Sequence, residues 1–243
     1  MFDHLKNSLL TIAFPVGCRV CGTEVTETND GVACSDCWST TRIFSGDEML
    51  CTKCGAFFGP RSAPVDVRCH QCDDHDYESA SALGIYEKAL AASILRLKNA
   101  PIIPNRLTEL LHQATRRDLL SDIDLIVPTP LSKQRMIERG FNQAEVIARS
   151  VARVTGIPVD SHSLVRTTNT PMHRGGMDKR ARELTVINAF KVLRPNIVKG
   201  SRVLLVDDVF TSGSTASNCA KALKKAGAER IKVLTLARAV KIN

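Results

Sequence analysis

The sequence predicts an α/β fold, a parallel sheet covered on both faces by helices, with a small cysteine-rich unit ahead of it. Three observations predict this. Eight of the nine cysteines fall in CxxC pairs before residue 73. From residue 79 onward, short apolar strands alternate with amphipathic helices. The most strand-like run, Val203-Leu204-Leu205-Val206, leads through two acids and a Gly/Ser/Thr loop into a helix, and open parallel sheets bind ligands beyond such strand ends.

The cysteine pairs are Cys18/Cys21, Cys34/Cys37, Cys51/Cys54 and Cys69/Cys72, separated by 12, 13 and 14 residues. Two such knuckles about a dozen residues apart can close on one zinc ion as a four-cysteine ribbon. Four pairs imply two zinc ions. Consecutive pairing gives one site from Cys18, Cys21, Cys34 and Cys37 and a second from Cys51, Cys54, Cys69 and Cys72; interleaved pairing is the alternative. Gly22 and Gly55 directly follow their knuckles and supply the positive φ such turns need. With no His and no open ligand position, both ions are expected to be structural. Disulfides are disfavoured because the chain shows no export signal: Leu9–Phe14 is short and lacks a basic start and a cleavage site. Phe57 and Phe58 are expected to pack a hairpin, with base stacking as the alternative. The ninth cysteine, Cys219, falls inside a helix and reads as a small buried residue.

The body is expected from residue 79 to 243, after the acidic link Asp73-Asp74-His75-Asp76 and a ribbon unit of residues 1–78. Strands are expected at 81–86, 124–127, 202–207 and 231–236, and helices at 87–98, 105–118, 141–154 and 214–226. Pro101 and Pro104 break the chain between the first two helices, and Gly227 closes the last. No apolar run reaches the roughly 18 residues that would span a bilayer, so a cytoplasmic protein without membrane insertion is expected. Charge divides the 243 residues unevenly. Residues 1–78 hold 6 Lys/Arg against 12 Asp/Glu, a net of −6, and residues 79–243 hold 27 against 13, a net of +14. A body so basic fits an anionic partner, nucleic acid or polyphosphate, or a solvated basic surface. Two all-thiolate zinc sites would each add about −2 to the acidic part, which argues against the ribbons holding nucleic acid by charge.

The run 203–206 delivers Asp207 and Asp208 at a strand end, and Thr211, Ser212, Gly213, Ser214 and Thr215 open the next helix. Backbone N–H groups at a helix start, with hydroxyls beside them, bind a phosphate because donors and helix dipole face it together. A carboxylate pair next to that phosphate can hold ribose hydroxyls or magnesium. A second candidate segment leaves the strand at 124–127 as Pro128-Thr129-Pro130-Leu131-Ser132. Beyond it, Arg135 and Arg139 are four apart, so on a helical turn closed by Gly140 both guanidiniums face one way. Two such groups can clamp a diphosphate, and the alternative is a pair of surface arginines. Asn142 and Gln143 then start the next helix.

These residues resemble the phosphoribosyl pyrophosphate (PRPP) signature of type I phosphoribosyltransferases. The chain as a whole resembles the ComF family of competence-associated proteins. The CxxC knuckles, the helix end Ile94-Leu95-Arg96-Leu97-Lys98, the segment VPTPLSKQRMIERGFNQAEVIA at 127–148, INAFKV at 187–192 and LTLAR at 234–238 all match. The resemblance implies a type I phosphoribosyltransferase-like sheet with a double zinc ribbon. Asp207 and Asp208 would contact ribose or magnesium, the 211–215 loop the 5′-phosphate of PRPP, and Arg135, Arg139 and Lys98 its pyrophosphate. Residues 167–185 resemble the hood that covers such sites, with Arg174, Lys179, Arg180 and Arg182 facing ligand and His173 the nearest acid–base candidate. The chain departs from the family at Thr170-Pro171-Met172-His173 and at Thr185, and it has Thr211 where purine-salvage relatives carry Asp. The resemblance implies a role in DNA uptake, with single-stranded DNA on the basic body and a ComF-type helicase as partner. Transfer of the phosphoribosyl group to an acceptor, and PRPP sensing without turnover, are the other functions it admits.

Overall fold

Four buried residues in a row, Val203, Leu204, Leu205 and Val206, each 0% exposed, form the middle of the longest strand. A strand enclosed on both faces needs apolar side chains in both directions, which is why this segment reads as a continuous run. Around it the computed structural model describes residues 17–25, 31–61, 66–115, 120, 122–167 and 189–240. The amino-terminal part contains helix α1 (Ser35–Ser39), strands β1 (Glu48–Leu50) and β2 (Phe57–Pro60), and a 3-10 turn at His70–Cys72. The body follows as β3 (Ser79–Ile85), α2 (Lys88–Leu97), α3 (Asn105–Thr115), β4 (Leu125–Pro128), α4 (Lys133–Arg139) and α5 (Gln143–Thr155). It is completed by β5 (Leu164–Arg166), β6 (Phe190–Val192), α6 (Pro195–Val198), β7 (Arg202–Phe210), α7 (Ser214–Lys225) and β8 (Arg230–Arg238).

Strands β3, β8, β7 and β4 form one sheet in that order, every neighbouring pair parallel. All carboxyl ends therefore lie along one edge, where the 211–215 loop and the 129–132 segment also emerge. The expected strands and helices of the body are present. Strand β7 runs three residues beyond its expected end and pairs with β8 as far as Phe210–Arg238. Strand β4 stops pairing at Val206, so Asp207 and Asp208 extend past their shorter neighbour. Residues 129–139, expected as a loop and a turn, include the full helix α4. Ser132 Oγ accepts from the Arg135 N–H at 3.3 Å to cap its start, and Gly140 closes it with φ +75°. The antiparallel pair β5–β6 was not expected; its three-residue strands are too short to show a period.

The two faces of the sheet carry separate apolar cores. Leu204, Val206, Leu234 and Leu236 point to one face and pack with α2, α3 and α5. Val203, Leu205, Ile231 and Val233 point to the other and pack with α7 and β5–β6. Each cysteine cluster belongs to one of these cores. Cys18, Cys34, Cys37 and Trp38 join the first, whereas Cys51, Cys54, Cys72 and Tyr77 join the second. The ribbons thus flank the edge strand β3, and backbone bonds such as Phe44 N–H to Leu83 O (2.8 Å) and Ala80 N–H to Lys53 O (2.8 Å) tie them to it. Phe57 stacks on Phe44 at 6.1 Å as hairpin packing, whereas Phe58 is 45% exposed. Cys219 is fully buried. Among the described residues no helix is long and apolar enough to cross a membrane.

Candidate functional site

The cysteines settle the pairing question first. Cys18, Cys21, Cys34 and Cys37 converge with all four sulfurs within 4.8 Å of one another, and so do Cys51, Cys54, Cys69 and Cys72. Zinc–sulfur bonds of about 2.3 Å at tetrahedral angles place sulfurs about 3.8 Å apart. The separations Cys18–Cys37 (3.7 Å), Cys21–Cys34 (3.6 Å), Cys51–Cys72 (3.7 Å) and Cys54–Cys69 (3.5 Å) match that edge. Backbone donors surround the first sulfur of each cluster. Cys18 Sγ accepts from the N–H groups of Val20 and Cys34, and Cys51 Sγ from those of Cys54 and Cys69. Burial opposes ionisation of Cys18 and Cys51, yet such donors lower both thiols to about 6. In Cys37 and Cys72, burial and the neighbouring thiols push the other way. Four sulfurs with these spacings and donors fit two structural zinc ions, and the consecutive pairing holds.

The second site sits at the carboxyl edge of the sheet. Asp207 and Asp208 leave the strand toward opposite faces. Asp208 is 8% exposed and meets the first face, where Gln143 Nε2 donates to its Oδ2 at 3.3 Å and Lys98 Nζ lies 3.4 Å away. Helix α2 delivers that lysine from its C-cap, and α5 delivers the glutamine from its first turn. Arg139 Nη1 donates to Gln143 Oε1 at 2.8 Å, so the end of α4 is joined to Asp208 through one side chain. Asn142 secures the loop between them: its Oδ1 caps α5 at Ala144 N–H, and its Nδ2 donates to Thr129 O at 3.0 Å.

Asp207 is half-buried and accepts the Asp208 N–H at 2.8 Å. Burial, and after it the charge of Asp208, push its carboxyl well above the usual carboxylate range. It borders a recess of about 20 Å³ with Thr211, Gly213, Thr215 and Thr235. Ser212 and Ser214 share a hydroxyl contact of 2.9 Å at the start of α7. Gly213 holds φ +81°, and a Cβ there would come within 2.7 Å of both His75 and Phe210; the loop requires glycine at that position. A larger cavity, about 520 Å³, lies between the β1–β2 hairpin and β3. Its lining also carries acids, cations and hydroxyls (Glu48, Asp66, Glu78, Arg61, Lys232, Thr52), but Glu78 and Lys232 are taken up in ion pairs with Arg230 and Asp122, and the cavity lies away from the carboxyl edge of the sheet.

Lys98, Arg139, Asp207, Asp208 and the 211–215 loop therefore come together. Arg135 stands exposed on α4 with its charge reaching Arg166. Arg166 was missed by the sequence reading. It ends β5, stacks over Phe190 at 5.6 Å, and has its pKa lowered by burial and then by Arg135, with Asp207 acting oppositely. A lone Arg in a short strand gives no pattern, so only the tertiary structure identifies it. Of the expected hood only Thr167 is described; His173, Arg174, Lys179, Arg180 and Arg182 lie outside the described residues.

Fold and site together define a phosphoribosyltransferase-type sheet bearing a double zinc ribbon. Comparison with known proteins agrees: residues 139–241 match the phosphoribosyl transferase domain family and residues 9–75 the double zinc ribbon domain family. Competence protein F of Haemophilus influenzae is 31% identical over 215 residues, covering 85% of this chain and 90% of that protein. DNA utilization protein YhgH of Salmonella typhi is 32% identical over 238 residues, 95% of this chain and 99% of that one. Competence protein ComFC of Bacillus subtilis is 32% identical over 115 residues, 47% of this chain and 44% of its own length. The chain belongs to the ComF family of competence-associated proteins.

Proposed function

We propose that the site at the carboxyl edge binds PRPP with magnesium, and that the protein serves DNA uptake as a cytoplasmic accessory factor. The observation that carries the first part is the meeting of Asp207, Asp208, the hydroxyl loop and the cations Lys98 and Arg139 in one place. The loop would take the 5′-phosphate on its N–H groups and hydroxyls. The two acids would hold ribose hydroxyls and the metal. Arg135 and Arg139 would face the pyrophosphate, with Lys98 held beside Asp208 until ligand arrives. Magnesium, when bound, would neutralise the pyrophosphate and favour its departure. Thr211 in place of an acid favours an acceptor other than a purine of the hypoxanthine or guanine type, or ligand sensing without transfer.

The second part rests on the relatives, whose names are competence and DNA utilization proteins. The net +14 of residues 79–243 supports single-stranded DNA as the nucleic-acid partner, with a ComF-type helicase as a docking partner. Calorimetric titration of PRPP with magnesium tests the site. Wild type is expected to bind, and the double variant Asp207→Ala/Asp208→Ala to lose at least about tenfold in affinity. Equal binding by both would overturn the assignment. Pyrophosphate release from PRPP across a panel of bases and amines then separates transfer from sensing.

A further inference from the structure

Arg238 ends the LTLAR segment and has no part in the ligand site described above. It leaves the carboxyl end of β8 and reaches the second cysteine cluster. Its Nη1 donates to Cys54 O at 2.5 Å, its Nη2 lies 3.5 Å from Cys54 Sγ, and its guanidinium covers the Phe210 ring at 4.6 Å. Phe210 meets Tyr77 edge-on at 6.0 Å. Tyr77 is 2% exposed, and its hydroxyl lies 2.5 Å from His75 Nδ1. The His75 tautomer sets which of the two groups donates, and the bond joins the two rings in either case. His75 and Phe210 then form the surface against which Gly213 rests, with no room for a methyl group between them. One residue along, the Asp76 N–H donates to Ser217 Oγ at 3.1 Å in the first turn of α7.

An unbroken line of contacts thus joins the second cluster to the floor of the 211–215 loop. Among the described residues the first cluster is tied elsewhere. Its ties run through Thr41 and Lys88 to the start of α2, and Lys98 lies about 15 Å farther along that helix. Rigidity in the loop matters because a phosphate site whose donors are already in place binds without an ordering cost.

We propose that Arg238, Tyr77 and His75 are positioning residues through which the second cysteine cluster, and not the first, holds the 211–215 loop in its phosphate-binding form. The proposal rests on the PRPP reading of that loop. The test uses the full-length, zinc-replete protein and the variants Arg238→Gln, Tyr77→Phe, His75→Ala and His75→Asn, with Thr41→Ala as the first-ribbon control. Zinc content, amide exchange over 211–217, and affinities for ribose 5-phosphate and for magnesium pyrophosphate are measured separately. Arg238→Gln, Tyr77→Phe and His75→Ala are expected to keep two zinc ions, exchange faster over 211–217 and bind ribose 5-phosphate about 5- to 10-fold more weakly. Pyrophosphate affinity should stay within about twofold, because that group faces the α4 arginines. His75→Asn, which keeps a hydrogen-bonding atom near the Nδ1 position, should recover most of the loss, and Thr41→Ala should change neither ligand. Unchanged loop exchange in Tyr77→Phe and Arg238→Gln would overturn the proposal, as would equal loss of both ligands. If wild type binds neither PRPP nor ribose 5-phosphate, the PRPP reading fails, and loop exchange alone still decides the coupling.

Discussion

Asp207 and Asp208 are sequence neighbours with unlike surroundings. Asp208 has Lys98 and Gln143 at its oxygens, while Asp207 faces the recess with its carboxyl pushed up by burial and by Asp208. A folded-state value above the unfolded one of about 3.9 means the folded protein retains a proton there that the unfolded chain has lost. Stability from that proton is full below the unfolded value and declines as pH rises through the folded one. Asp207→Asn removes the decline. Without ligand, the variant is expected to exceed wild type by about 1 kcal/mol at pH 8, with the difference shrinking toward pH 4, while PRPP binding is lost. Urea melts at the two pH values check this, and a difference independent of pH would discard the account. Gly213 sits under the opposite constraint. Gly213→Ala is expected to cost about 1–3 kcal/mol, since φ +81° and the contacts with His75 and Phe210 both resist a methyl group.

Among the elements, the ribbons are the most direct to test. The protein should carry two zinc ions, and Cys34→Ser or Cys51→Ser should each leave one. Because each cluster forms part of a core, either loss is expected to remove several kcal/mol, roughly 10 °C in Tm; metal analysis and calorimetry decide. The ribbons were legible because CxxC spacing is itself the chemistry of the site. The β7–loop–α7 unit was legible for a similar reason: strand, acids, hydroxyls and helix start are contiguous. Helix α4 was only half legible, since its exposed face, with Ile137 at 84%, carries no apolar stripe to reveal it. The contacts of Arg166, His75 and Arg238 could not be read at all. Each joins segments far apart in sequence, and a single side chain leaves no periodic trace.

At the scale of the molecule, charge and packing divide the chain differently. Charge separates an acidic first part, net −6 over residues 1–78, from a basic body. Packing joins them, because each face of the sheet is closed in part by a ribbon. If the basic body binds single-stranded DNA, affinity should fall at least about tenfold between 50 and 200 mM salt. Fluorescence anisotropy with a labelled oligonucleotide measures it, and a flat salt response would remove DNA from the proposed partners. Removing residues 1–78 is expected to expose apolar surface on both faces rather than release an independent body, and soluble yield with dye binding would report it.

The contact between Arg238 and Cys54 spans 184 residues. A ribosome delivers the second metal cluster long before it delivers the arginine that closes over it. The cluster can fill with zinc early, but the wall around Gly213 waits for β8 to emerge and pair. Closure across so long a span belongs to the slow, non-local part of folding. If the line from Arg238 holds the loop as proposed, a nascent chain can be metallated well before that loop is set, and the loop's maturation follows the arrival of β8.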